Sequence, residues 1–239
     1  MMPGDHVDLG PLMQSRDSSQ KKDILFGHGL VRGSKSLFVS KAGVLRLDRK
    51  KSKLWIDNLQ KRYASSIGDN ILGVIKGQKF GEYWRVDIGE SREALLSYLA
   101  FDGATKRTRP NFNVGDLVYA RVLRSDIELG VEISCKAHEG LAPKSWTTGE
   151  SVYGQLRGGY LFKCSSLLCR TLLKDDCIVL KELSGLVPFE VAVGDNGKVW
   201  VKSEEVLSTV MISNCILNSE HLDSAQTYKL VRSLASFFK

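Results

Sequence analysis

The chain of 239 residues is poor in the side chains that build metal and disulfide centres, with five cysteines and four histidines. Cys135, Cys164, Cys169, Cys177 and Cys215 contain no Cys-x-x-Cys pair. Their odd number and leucine-rich surroundings fit reduced, buried thiols of an intracellular protein, not a disulfide framework. His6, His28, His138 and His221 are scattered, none at the i, i+4 spacing of a helical zinc site; they read as surface or turn residues, and neither a metal nor a cofactor is expected. No apolar run has membrane-spanning length: the longest uncharged stretch, 206–219, is too short and carries Ser, Thr and Asn. The first residues lack a basic segment followed by an apolar one, so residues 1–28 are expected to be a flexible leader and not a secretory signal.

Catalytic signatures are missing too. There is no G-x-S-x-G elbow, no H-E-x-x-H and no Walker lysine loop. The adjacent carboxylates Asp175-Asp176 and Glu204-Glu205 each stand at the start of a predicted helix, where capping and the helix dipole account for them. The reading is a protein that is not an enzyme.

What is present is positive charge, unevenly spread. Residues 1–67 carry 13 Lys/Arg against 6 Asp/Glu, residues 68–140 carry 10 against 11, and residues 141–239 carry 11 against 10. The net charge of +7 therefore sits in the N-terminal third. Such an excess suits an acidic partner, either nucleic acid or an acidic protein face, or else a solvated lysine-rich surface.

The apolar pattern divides the chain into three parts after the leader. Residues 29–67 read as a small β domain, with alternation at Leu37 and Val39, then Val44, Leu45 and Leu47, then Leu54 to Ile56, and with "DRKKSK" (48–53) as a charged hairpin tip. Residues 68–140 hold five β-rich runs, "DNILGVIKG", "EYWRVDIG", "ALLSYLAF", "VGDLVYARVL" and "GVEISC", which in so short a span predict a small closed barrel of OB type. Residues 141–239 mix elements. "SVYGQL" and "YLFKC" flank "RGG" as an expected hairpin, and "SSLLCRTLL" follows as a helix capped by Ser165. A second helix is expected with Asp175 or Asp176 at its N-cap and Gly185 at its end. "FEVAVG" and "KVWVKS" alternate as strands. Two closing helices run from Glu204 to about Asn218 and from about Asp223, where Gln226 completes a capping-box pattern. Tyr228, Val231, Leu234, Ala235 and Phe238 form the last helix's apolar stripe. The fold class is thus all-β followed by α+β.

Two segments invite a nucleic-acid reading. The first is the Gly-x-x-Gly at Gly194-Asp195-Asn196-Gly197. An RNA clamp of this kind needs to lie between two helices, where bare amides approach phosphates. Here it joins two alternating strands, and Asn-Gly in that setting is a hairpin turn; Asp195 would in addition repel a phosphate. Gly194, Asn196 and Gly197 are therefore read as a structural type I′ turn. The second is "FDGATKRTRP" (101–110), a loop of the barrel. Lys106, Arg107 and Arg109 supply charge and guanidinium forks for phosphate, and Thr105 and Thr108 supply hydroxyls. A solvated loop, or one paired with an acidic protein neighbour, remains open. OB barrels bind polymers across their second and third strands. Tyr83 and Trp84 are adjacent on strand two, so one faces the core and the other is free to stack on a base.

In this order, "SLFVSKAGVLR", "WIDNLQKRY", "GDNILGVI", "LSYLAFDGATKRTRPNFNVGDLVYARV", "GYLFKC" and "GDNGKVWVK" resemble the exosome cap-subunit family called ribosomal RNA-processing protein 40, or exosome component 3. The likeness runs from about Leu30 to the C-terminus, and "MPGD" near the start is similar to the family's opening motif. The resemblance implies an N-terminal β domain, an S1-type OB barrel and a KH-like C-terminal domain. It also implies a subunit without nuclease activity, found in nucleus, nucleolus and cytoplasm. Such a subunit would sit with other cap subunits on RNase PH-like ring subunits, hold that ring together and pass the 3′ end of single-stranded RNA into its central channel. The family's G-x-N-G is structural and packs near the barrel. Asp195 stands where the family has an uncharged or basic residue, and Thr108 where it often has Asn; the first weakens a direct RNA role for the turn, and the second leaves the loop's charge unchanged.

Overall fold

A computed structural model describes residues 1–8, 25–27, 29–33, 36–48, 53–58, 62–79, 81–126, 128–137, 151–174 and 176–234. The chain forms two compact units, Met1–Gln60 and Lys61–Lys239.

The described residues of the first unit form β-strands. Strands β1 (His6–Val7), β4 (Leu37–Val39) and β3 (Leu30–Arg32) form one antiparallel sheet in that order. Strands β2 (Leu25–Phe26), β6 (Lys53–Asp57) and β5 (Val44–Asp48) form a mixed sheet, β2 parallel and β5 antiparallel to β6. Their alternating residues Leu37, Val39, Leu54 and Ile56 share a core with Val7. Residues 1–8 were expected in a flexible leader; instead His6–Val7 pairs with Leu37 and Phe38, because Val7 is apolar enough to join that core. The β5–β6 hairpin pairs Asp48 with Lys53, and the tip between them, 49–52, lies outside the described residues, as does 9–24.

In the second unit, β7 (Asn70–Lys79), β8 (Tyr83–Asp87), β9 (Ala94–Phe101), β10 (Leu117–Asp126) and β11 (Gly130–Cys135) close a barrel. β7 pairs with β8 and β10, β8 with β9, and β11 closes the ring by pairing with β10 and, in parallel, with β9. Period-two alternation supplies the interior: Trp84, Val86 and Ile88 point inward while Arg85 and Asp87 stay out, and Ile75, Leu96, Val118, Ala120, Val122 and Ile133 complete a core. Each buried Val, Leu or Ile among them contributes roughly 1.5–3 kcal/mol by leaving water. Gly73 permits the tight closure, since a Cβ there would run into Val86.

β12 (Gly154–Leu156) corrects the expected hairpin. It pairs with β10 and not with β13 (Tyr160–Lys163). The cause lies on β10: β11 pairs with residues 121–126 only, leaving the backbone of 117–119 open on that side, and β12 satisfies it. Gly158 and Gly159, both at φ +71°, then turn the chain into β13.

The other described residues form a sheet of order β13-β15-β14, from β14 (Phe189–Val193) and β15 (Lys198–Ser203), with four α-helices and a short 3-10 turn, Ser219–His221, among them. Helix α1 (Ser166–Leu172) is capped as expected, Ser165 Oγ accepting from the Leu168 N–H at 3.0 Å. Helix α2 (Ile178–Ser184) departs from expectation: its N-cap is Cys177, with no side-chain cap. The Cys177 N–H bonds to Lys174 O, and burial of the thiol sets the start of the helix. Asp176 instead pairs with Lys181 at 3.4 Å, and Asp175 lies outside the described residues. Helix α3 (Val206–Asn218) starts two residues later than Glu204, with Glu205 at its N-cap. In α4 (Ser224–Leu234) the Asp223 N–H bonds to Gln226 Oε1 at 3.1 Å, as a capping box does. Val231 is buried and Leu234 packs on the same core, while Ala235 and Phe238 lie outside the described residues. Among the described residues no helix is long and apolar enough to cross a membrane.

Candidate nucleic-acid interface

The basic loop leaves the barrel between β9 and β10 and is pinned at both ends by burial. Phe101, Pro110 and Phe112 are buried, and the Phe101 and Phe112 rings lie 5.7 Å apart. Residues 105–109 between them are exposed. The tip is a small turn held by Thr105: its N–H bonds to Thr108 O at 2.9 Å, and its Oγ1 accepts from the Thr108 N–H at 3.0 Å. The expected RNA-contact hydroxyl of Thr105 is thus engaged as an acceptor in shaping the loop, with its own proton left to donate. Lys106 and Arg107 occupy the two central positions of this turn, so both project from its apex. No ion pair ties Lys106, Arg107 or Arg109 to a described residue.

Arg109 lies over the Tyr98 ring at 4.7 Å, a cation–π contact that turns its guanidinium toward the barrel wall. Beneath it opens a cleft of about 420 Å³ lined by Gln78, Tyr83, Trp84, Tyr98, Arg109 and Asn111. Of the two strand-two aromatics, Trp84 faces inward: it is 7 % exposed and meets Phe112 edge-on at 5.7 Å. Of the two RNA-contact candidates on this strand, Trp84 is thus the core-facing one, corrected by its packing, although it also lines the cleft. Tyr83, half-buried on the opposite face, is the available aromatic. Tyr98 went unnoticed in the sequence because "ALLSYLAF" reads as an ordinary strand; it reaches the cleft because β9 pairs with β8, a register that no single run displays.

The turn at 194–197 faces the opposite way in chemical terms. The Gly194 N–H bonds to Lys198 O and the Gly197 N–H to Gly194 O, so the loop has three residues, with Gly197 at φ +73°. This differs from the two-residue type I′ turn expected from Asn-Gly, and it is the next most common way to join a hairpin. The whole turn is inserted against the barrel. Asn196 Nδ2 donates to Leu72 O at 2.8 Å and Ile88 O at 2.7 Å, and its Oδ1 accepts from the Leu72 N–H at 3.2 Å. Asp195 donates its N–H to Asn70 O and accepts the Asn70 N–H on Oδ2 at 3.0 Å. A Cβ at Gly194 would meet Asn196 Oδ1 and the Leu72 nitrogen.

Buried polar contacts extend this seam. Lys198, 4 % exposed, donates from Nζ to Asp87 O at 2.9 Å, with Asp87 Oδ1 at 3.9 Å. Burial lowers the pKa of Lys198, opposed by Asp87. Tyr119 stacks on Tyr153 at 5.4 Å, and Tyr153 donates to Asn70 Oδ1 at 2.8 Å; burial raises both phenols above their ordinary values. Among the described residues no group of three His, Cys, Asp or Glu side chains converges as a metal ion requires.

Known proteins resemble this chain in sequence and fold. The family model described as "Exosome complex component RRP40, S1 domain" matches residues 63–144, and a KH-domain model matches residues 159–207. The exosome complex component RRP40 of Drosophila melanogaster is 36% identical over 239 residues, covering 100% of this chain and 97% of the relative. Its counterpart in Homo sapiens is 36% identical over 238 residues (98% and 83%), and that of Schizosaccharomyces pombe 40% over 222 residues (90% and 88%). In fold, the chain is similar to a crystal structure described as an exosome complex RNA-binding protein, with a TM-score of 0.57 at 18% identity, covering 74% of this chain and 97% of that one. A barrel with an S1 match, an α+β half with a KH match and end-to-end similarity to these relatives lead to one conclusion: the chain belongs to the RRP40 family of exosome complex components.

Proposed function

We propose that this protein is a non-catalytic RNA-binding cap subunit of the RNA exosome, working in nucleus, nucleolus and cytoplasm. It steadies an RNase PH-like ring alongside other cap subunits and steers the 3′ end of single-stranded RNA toward the ring's channel. The observation that carries this reading is the exposed, unpaired triplet Lys106, Arg107 and Arg109 on the barrel of a chain from the RRP40 family. Three cations without a carboxylate partner among the described residues meet a phosphate backbone without first breaking an ion pair, and they do so without regard to base identity. Tyr83 and Tyr98 border a cleft that suits a stacked base below that backbone.

The test is charge reversal of Lys106, Arg107 and Arg109 together, read by RNA crosslinking and by co-purification of the assembled complex. Lost crosslinks with intact assembly support the reading. Lost assembly with RNA binding retained would instead make the loop a protein-docking element. Three phosphate contacts to single-stranded RNA contribute about −2 to the slope of log affinity against log salt. The native chain should therefore weaken about 20-fold between roughly 50 and 200 mM salt through this loop alone, and the variant should lose that part of the dependence.

A further inference from the structure

Two of the five thiols lie in direct contact. Cys164 Sγ and Cys169 Sγ are 3.2 Å apart, whereas a disulfide needs about 2.05 Å. Their positions explain the approach. With Ser165 as N-cap of α1, Cys164 stands just before the cap and Cys169 at the fourth helical residue, the two places where apolar side chains staple a helix entry. The cap bond to Leu168 and the Cys169 N–H bond to Ser165 O at 3.1 Å fix that geometry. The two sulfurs also differ in access, Cys164 being half-buried and Cys169 fully buried. Cys135, Cys177 and Cys215 are buried and make no sulfur–sulfur contact with another cysteine.

We propose that Cys164 and Cys169 form a reversible thiol-oxidation site, in which a small disulfide of the glutathione class enters at Cys164 and leaves behind an intramolecular disulfide joining the residue that follows β13 to α1. In the first step the Cys164 thiolate attacks one sulfur of oxidised glutathione. The S–S bond of glutathione breaks, a mixed disulfide forms on Cys164, and one glutathione departs as its thiolate. In the second, Cys169 gives up its proton and attacks Cys164 Sγ, and the second glutathione departs and is protonated. Two protein thiols have lost two electrons and two protons, and one glutathione disulfide has become two thiols. The contact with Cys164, together with burial, pushes the Cys169 thiol up, which suits it to the second, resolving step and not to the first.

The site's setting gives the bond a consequence. The Cys164 N–H donates to Gly197 O at 2.9 Å, and Gly197 closes the turn whose Asn196 is inserted into the barrel. Oxidation therefore ties the entry of α1 to the same point of backbone that anchors the α+β half.

The experiment uses the full chain, reduced, exposed to oxidised glutathione while folded and then quenched with N-ethylmaleimide in denaturant, so that the buried Cys169 is labelled as well. Trypsin cuts after Lys163 and Arg170, so a single peptide, 164–170, carries both thiols. Before exposure that peptide should bear two maleimides; afterwards it should bear none and be lighter than the free peptide by two hydrogen atoms, reverting on reduction. C169S should stop with glutathione on Cys164, and C164S should leave Cys169 free of glutathione. The proposal is overturned if the native peptide keeps both maleimides while a denatured sample of the same chain forms the bond. It is equally overturned if the native chain stops at the mixed disulfide or cross-links between molecules.

Discussion

Asn196 directs its whole amide into the barrel, and the three backbone groups it meets belong to Leu72 and Ile88. Asn196→Ala would leave those buried groups without partners, which costs about 3 kcal/mol; a lower urea midpoint with an unchanged slope would register it, and a loss below about 1 kcal/mol would contradict the geometry. Asp87 offers a second test at this scale. Burial on its own would raise its pKa, but the Gly89 N–H and the charges of Lys198, Lys76 and Lys163 prevail and hold its carboxyl below the ordinary value. A carboxyl depressed by folding contributes stability that is present above its unfolded pKa, about 3.9, and disappears as pH falls through the folded one. Urea midpoints measured downward from pH 7 should therefore drop below about pH 4, and Asp87→Asn should flatten that part of the curve.

At the scale of elements, the helix α1 cap is the simplest case: Ser165→Ala removes the bond to Leu168 and should cost about 1 kcal/mol in thermal or urea unfolding. Elements of this kind were legible in advance. Alternation marked the strands of the barrel, a serine before an apolar run marked α1, and Asp223 with Gln226 marked α4. What remained hidden depended on partners. Nothing in "SVYGQL" shows that β12 would choose β10 over the nearby β13, since the decision was made by the stretch of β10 that β11 leaves uncovered. Whether Tyr83 or Trp84 faces inward is likewise undecided by a period of two. Phe112, 28 residues beyond Trp84 in the sequence, settles it by packing against the indole. The cleft under Arg109 was out of reach for the same reason, because Tyr98 enters it only through the pairing of β8 with β9.

At the scale of the molecule, the barrel and the α+β half belong to one compact unit, bound through β12, the 194–197 turn and Lys198. Calorimetry of the full chain should show those two halves melting in a single transition, and Asn196→Ala should broaden or split it; two resolved transitions in the native chain would count against a shared unit. The same turn also has a consequence in time. Its bonds to Asn70, Leu72 and Ile88 join positions 108 to 125 residues apart. Loops of that span close late, and during synthesis the barrel strands emerge well before residue 196 exists. The nascent barrel must therefore hold its shape with that flank unsealed until residues 194–197 have been made.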